Sequence, residues 1–136
     1  MSTDSLNGIV GQPAHFAGDY LFRQQALPNT TTIYSEDYTF NNTLGKLKLV
    51  GEIHAPLTMA VGNTLSIMIQ YQDDTVWKNL STLLSLSGAN TLEAGEIFAC
   101  VPVPNESKRK FRLSVTTNFD ASDVAITAAV EILARV

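Results

Sequence analysis

The sequence predicts an all-β protein, an antiparallel β-sandwich or jelly roll of about eight strands with an extended N-terminal arm. Three observations carry that expectation. Charged residues make up 16% of the 136-residue chain, against roughly 25% in an average soluble protein. Thr, Ser and Asn hold many polar positions instead, and Thr suits a pleated surface while Ser and Asn suit turns. Apolar and polar side chains alternate with period two through several stretches, and turn-forming clusters separate those stretches at short, fairly regular intervals.

The first 29 residues show no sustained period of either kind. Gly8, Gly11, Pro13, Gly18 and Pro28 punctuate them, yet Phe16, Tyr20, Leu21 and Phe22 supply large apolar groups. A disordered tail usually lacks such groups, so this segment reads as an arm that lies on its own domain or on a neighbour. The single domain proper then runs over 30–136.

Thr31 to Ser35 is a short candidate strand, and Lys46 to Ile53 follows with Leu47, Leu49 and Ile53 on one face. Thr64 to Tyr71 alternates most cleanly, Leu65, Ile67, Ile69 and Tyr71 against Thr64, Ser66, Met68 and Gln70, as a half-buried strand does. It ends at Gln72-Asp73-Asp74, and the chain returns through Trp77 into a strand from Leu80 to Ser87, closed by Gly88-Ala89-Asn90. Ile97 to Val103 contains Pro102, which has no N–H to give to a ladder and so belongs at a sheet edge or a strand end. Pro104-Asn105-Glu106-Ser107 makes a turn, and Lys110 to Phe119 again divides into two faces.

The last segment, Asp123 to Val136, is open to two readings. Val124, Ile126, Ala128, Val130 and Ile132 alternate, but Asp123, Thr127, Glu131 and Arg135 recur every fourth residue like a polar helical stripe, with Ser122 placed as an N-cap. The run of strands before it favours a strand that completes two packed sheets.

The formal net charge of −4 opposes binding to a phosphate backbone. Lys108-Arg109-Lys110 is the only basic run, and no aromatic residues interleave with it, so solvated charges entering a strand are the expected reading. Cys100 is the sole cysteine and lies in the apolar run Ile97 to Val101, where a small buried hydrophobe is expected. The sequence begins without a cationic flank or apolar stretch and holds no window of membrane-spanning length, which suggests synthesis in a cytoplasm and no membrane partner.

Residues for catalysis are sparse. His15 falls in the arm and His54 just after a strand, and no Cys, Asp or Glu stands at ligand spacing to either. The acidic pairs Glu36-Asp37, Asp73-Asp74 and Glu93 with Glu96 sit in expected turns, where adjacent acids are usually solvated. Asp73-Asp74 lacks the rest of a calcium loop. The expectation is therefore no enzyme activity, no catalytic residue, no metal and no cofactor.

From about Leu47 to Leu133 the chain resembles the capsid cement, or decoration, proteins of tailed bacteriophages. The resemblance rests on Leu65-Ser66-Ile67-Met68-Ile69-Gln70-Tyr71 with its acidic loop, on Leu83-Leu84-Ser85-Leu86-Ser87-Gly88, and on Ala94-Gly95-Glu96-Ile97-Phe98 leading to Val101-Pro102-Val103-Pro104. Lys110-Phe111-Arg112-Leu113-Ser114-Val115 and Ala125-Ile126-Thr127-Ala128 follow in the same order. It implies a small jelly roll, a strand at the carboxyl end, and a homo-oligomer, a trimer above all. It further implies a place on the virion, bound to the major capsid protein at the capsid surface, while the expectation of no nucleic-acid partner rests on the net charge.

On this reading Phe16, Tyr20, Phe22, Tyr34 and Trp77 are the candidate contact residues, because large rigid side chains in arms and loops commonly dominate interfaces. Each can equally pack into the chain's own core, and for Tyr34, on a strand, that is the stronger alternative. Deleting residues 2–28 is then expected to leave a folded domain that attaches less well. A second reading is a carbohydrate-binding jelly roll for host recognition, with Trp77 or Tyr38 stacked on a sugar. A third is a small hydrolase using His15 or His54.

Overall fold

The computed structural model describes residues 19–39, 47–103 and 110–132, and no helix occurs among them. The strands in chain order are β1 (Asp19–Ala26), β2 (Thr32–Tyr34), β3 (Tyr38–Thr39), β4 (Leu47–Ile53), β5 (Leu57–Met59), β6 (Thr64–Asp73), β7 (Val76–Ser87), β8 (Asn90–Leu92), β9 (Ile97–Pro102), β10 (Lys110–Thr117) and β11 (Ala125–Ile132). One sheet runs β1-β11-β4-β9 and a second runs β2-β10-β6-β7, with β3 also on β10. The short strands β5 and β8 pair with each other.

Eight of these strands build the sandwich, and their partners nest along the chain. The first of the eight pairs with the last (β1 with β11), the second with the seventh (β2 with β10), the third with the sixth (β4 with β9) and the fourth with the fifth (β6 with β7). All of these pairings are antiparallel. A long hairpin rolled up on itself gives that order, which is the jelly-roll arrangement.

The alternation of the sequence becomes the core. Leu65, Ile67 and Ile69 of β6 lie opposite Thr117, Val115 and Leu113 of β10, and all six side chains are buried. The five apolar ones meet Leu49 and Ile53 of β4 and Ile126, Ala128 and Val130 of β11 in one cluster drawn from both sheets. Burying two apolar sheet faces against each other is the main term that holds such a fold.

The carboxyl segment is a strand, as the alternation suggested. Its polar recurrence is no obstacle, because Asp123 lies in the turn before the strand, and Thr127 and Glu131 are both odd-numbered and so fall on the side of β11 opposite the buried Ile126, Ala128 and Val130. Glu131 pairs across the sheet with Lys48 at 3.7 Å. Ser122 caps no helix; its amide and hydroxyl both donate to Asp120 Oδ1, at 3.0 and 2.6 Å, in the turn before β11.

The arm reading needs correction from Asp19 onward. Residues 19–26 form β1, an edge strand paired to β11, and Leu21, Phe22 and Leu27 are core residues at 2–4% exposure. The alternation failed to show it because the ladder slips between Tyr20 and Phe22 and again between Phe22 and Gln25. Each slip adds a residue to β1, so Leu21 and Phe22 are buried consecutively, and Gln24 takes a left-handed φ of 47°. Residues 1–18, including Phe16 and His15, lie outside the described residues, as do Lys108 and Arg109.

Cys100 is also corrected, since it is exposed. It pairs with Val50 on the outward side of the edge strand β9, while its neighbour Ala99 turns inward at 5% exposure. Pro102 ends that same strand, consistent with its missing donor.

Candidate partner-binding face

The outward surface of the β2-β10-β6-β7 sheet carries a cluster assembled by register. Paired residues share a face of a sheet. Ser114 pairs with Tyr34, Arg112 with Gln70, Gln70 with Asn79 and Gln72 with Trp77. These residues of β2, β10, β6 and β7 therefore stand on one surface, opposite the core.

Arg112 is its centre. The guanidinium carbon lies 4.0 Å from the centroid of the Tyr34 ring and 4.2 Å from that of Trp77. Tyr34 comes from the strand on one side of β10 and Trp77 from beyond β6 on the other. Arg112 Nε donates to Gln70 Oε1 at 2.9 Å, and Gln70 Nε2 donates to Asn79 Oδ1 at 2.9 Å. Two aromatic faces and one directed hydrogen bond fix the plane of the cation, each ring contact adding about 0.5–1 kcal/mol at an exposed site. Tyr34 remains 51% exposed, so the cluster is open to a partner.

The described lysines behave differently. Lys48, Lys78 and Lys110 each reach a carboxylate, of Glu131, Asp73 and Asp37 at 3.7, 3.1 and 4.0 Å. The Asp73 contact raises the Lys78 pKa, through its hydrogen bond first and its charge second. Arg23 instead lies over the Tyr20 ring at 4.1 Å. Tyr20 and Tyr34 both border a groove of about 370 Å³, together with Arg23, Gln25, Ser35 and Glu36. The Glu36 amide donates to Leu21 O at 3.2 Å and so ties the segment after β2 to β1.

Of the five expected contact residues, the structure gathers Tyr34 and Trp77 around one cation and sets Tyr20 at the neighbouring groove. Phe22 is spent in the core at 4% exposure, the packing alternative for that residue. Tyr34 takes the surface instead of the core. Tyr38, a candidate sugar platform, packs on Phe111 with ring centroids 5.4 Å apart. Arg112 has no local signature, since in sequence it is an ordinary outward charge between Phe111 and Leu113. Only the register of β2 and β7 reveals its two rings.

His54 Nε2 lies 2.6 Å from Thr127 Oγ1, which also accepts the Gln24 amide at 3.0 Å. Thr127 is only 4% exposed, so this hydroxyl fastens the bulge of β1 and offers no reachable nucleophile. Among the described residues no group of His, Cys, Asp and Glu is placed to hold a metal ion.

No family model matches the chain, and no curated protein does. A solved structure, that of infectious bursal disease virus strain Gx, is similar over 85% of this chain at 16% identity and a TM-score of 0.44. The chain spans 30% of that neighbour's length.

Proposed function

We propose that this protein is a non-enzymatic component of a virion, a cement or decoration protein that binds the outer surface of a bacteriophage capsid and stabilises the lattice of the major capsid protein. The observation that carries this reading is the open cluster of Tyr34, Arg112 and Trp77 on a sheet face. Interfaces draw most of their energy from a few aromatic and arginine side chains, and here such side chains are held rigid before any partner arrives. The resemblance of residues 47–133 to phage cement proteins supplies the class of partner.

The physical role is linkage. A protein that binds only the assembled, expanded lattice stabilises that state by its binding free energy, and multivalent attachment as a homotrimer multiplies the effect without new contacts. Co-sedimentation with expanded shells, unexpanded shells and free capsid protein tests the reading. Selective retention by expanded shells, weakened in Tyr34→Ala and Trp77→Ala, is the expected result. Equal recovery with and without shells overturns it.

A further inference from the structure

We propose that Arg112 is a preformed clamp for a carboxylate on the protein partner, an Asp or Glu side chain that docks edge-on between Tyr34 and Trp77. This rests on the reading of the sheet face as a protein-binding surface and names the chemistry that the surface selects.

A guanidinium carries five N–H donors in a planar fork. In Arg112 the Nε donor is committed to Gln70, and the guanidinium lies over two aromatic rings, Tyr34 and Trp77, that come from the two sides of β10. What stays available is the outer edge of the fork, the two terminal nitrogens, and this edge matches the paired oxygens of a carboxylate. Among the described residues no carboxylate lies within ion-pair distance of Arg112, although the three described lysines are all so paired. A chain with formal net charge −4 has acids to spare, yet this cation is left to aromatic neighbours. Gln70 and Asn79 form a relay that orients it, and a fixed plane loses little conformational freedom when a carboxylate arrives. Arg23 at the adjoining groove is the other described cation without an acid, but Glu36 shares that groove and opposes an anionic guest. Arg112 is therefore the stronger anchor.

Trp77 is the only tryptophan in the chain, so its fluorescence reads this site directly. The full chain is titrated with a short end-blocked peptide alternating Glu and Ala, with the same peptide carrying Gln for Glu, and with a glucuronic acid oligomer. Saturable change with the Glu peptide alone is expected, weakened about tenfold or more in Arg112→Gln and in Arg112→Lys, because an ammonium lacks the planar fork. Unchanged circular dichroism of both variants assigns the loss to the site. Equal response to the Glu and Gln peptides, undiminished binding by Arg112→Gln, or a response to the sugar acid in place of the peptide each overturns the proposal. The same variants are then sedimented with shells. Wild-type protein that takes up the peptide but ignores shells removes the decoration role and leaves the clamp; shells that retain Arg112→Gln as tightly as wild type remove the clamp and leave the decoration role.

Discussion

The ring of Phe98 fills the space that a side chain at Gly51 would occupy. Phe98 is the extra residue of β9 where its ladder with β4 slips, and a Cβ built on Gly51 would overlap the ring. The glycine is thus a steric requirement of the inward face of β4. Gly51→Ala should lower stability by about 1–3 kcal/mol, the range for overpacking a fitted core. Urea denaturation of Gly51→Ala, Phe98→Leu and the double variant measures it, and the double variant should lose less than the sum of the single losses.

Removing residues 2–28 should unfold the protein, contrary to what an arm would allow. The deletion takes away β1 and with it Leu21, Phe22 and Leu27 from the core. A single Leu21→Ala already should cost about 2–5 kcal/mol. Loss of cooperative thermal unfolding in the truncated chain is the expected outcome, and a normal transition would show that the sandwich tolerates an open β11 edge.

Thr117 ends β10 at 3% exposure, and its hydroxyl lies 3.0 Å from Pro28 O and 2.8 Å from Phe119 O. Both carbonyls also accept backbone amides, from Ala121 and Thr30 respectively. Thr117→Val leaves neither carbonyl without a donor. The loss should therefore be that of an ordinary hydrogen bond, about 0.5–1.5 kcal/mol, and not the larger penalty for an orphaned buried group. Thermal or urea unfolding at neutral pH separates the two magnitudes.

Asp120 is held below the usual carboxylate pKa, first by the Ser122 hydroxyl and then by the Ser122 amide. A depressed folded-state pKa means that the stabilisation is present above the unfolded value and is lost as the pH falls through the folded one. Ser122→Ala removes the larger cause, so the Asp120 pKa should rise toward its ordinary value. Carboxyl-carbon NMR titration of wild type and variant checks the direction. Because Asp120 is exposed, the effect on overall stability should be slight.

How far the sequence reveals the molecule depends on where the ladder is regular. β6 and β10 are legible because Leu65, Ile67, Ile69, Leu113 and Val115 alternate without interruption and face one core. β1 is illegible because its slips at Leu21 and before Gln25 place buried residues side by side. The short strands β3, β5 and β8, of two or three residues, are too brief for a period to register. Within the candidate site, Tyr34 and Trp77 stand out as large aromatic residues, but Arg112 does not, since its distinction is relational. Two rings reach it from strands far away in sequence, and no local pattern records that meeting. Cys100 defies its apolar setting for a related reason: an apolar run on an edge strand has one side in the core and the other in water.

The margins of the two sheets share one construction. β1 gains Leu21, β7 gains Leu80 and Leu83, and β9 gains Phe98 as residues that the neighbouring strand does not match, and β9 ends at Pro102. The fourth margin is broken into β2 and β3 by Ser35, Glu36 and Asp37. A straight backbone from another molecule finds no long, even row of donors and acceptors along any of them. Copies held shoulder to shoulder at high local density therefore resist zipping into continuous cross-molecular ribbons, and a neighbour gains more by resting on the broad outer surfaces than by joining the weave.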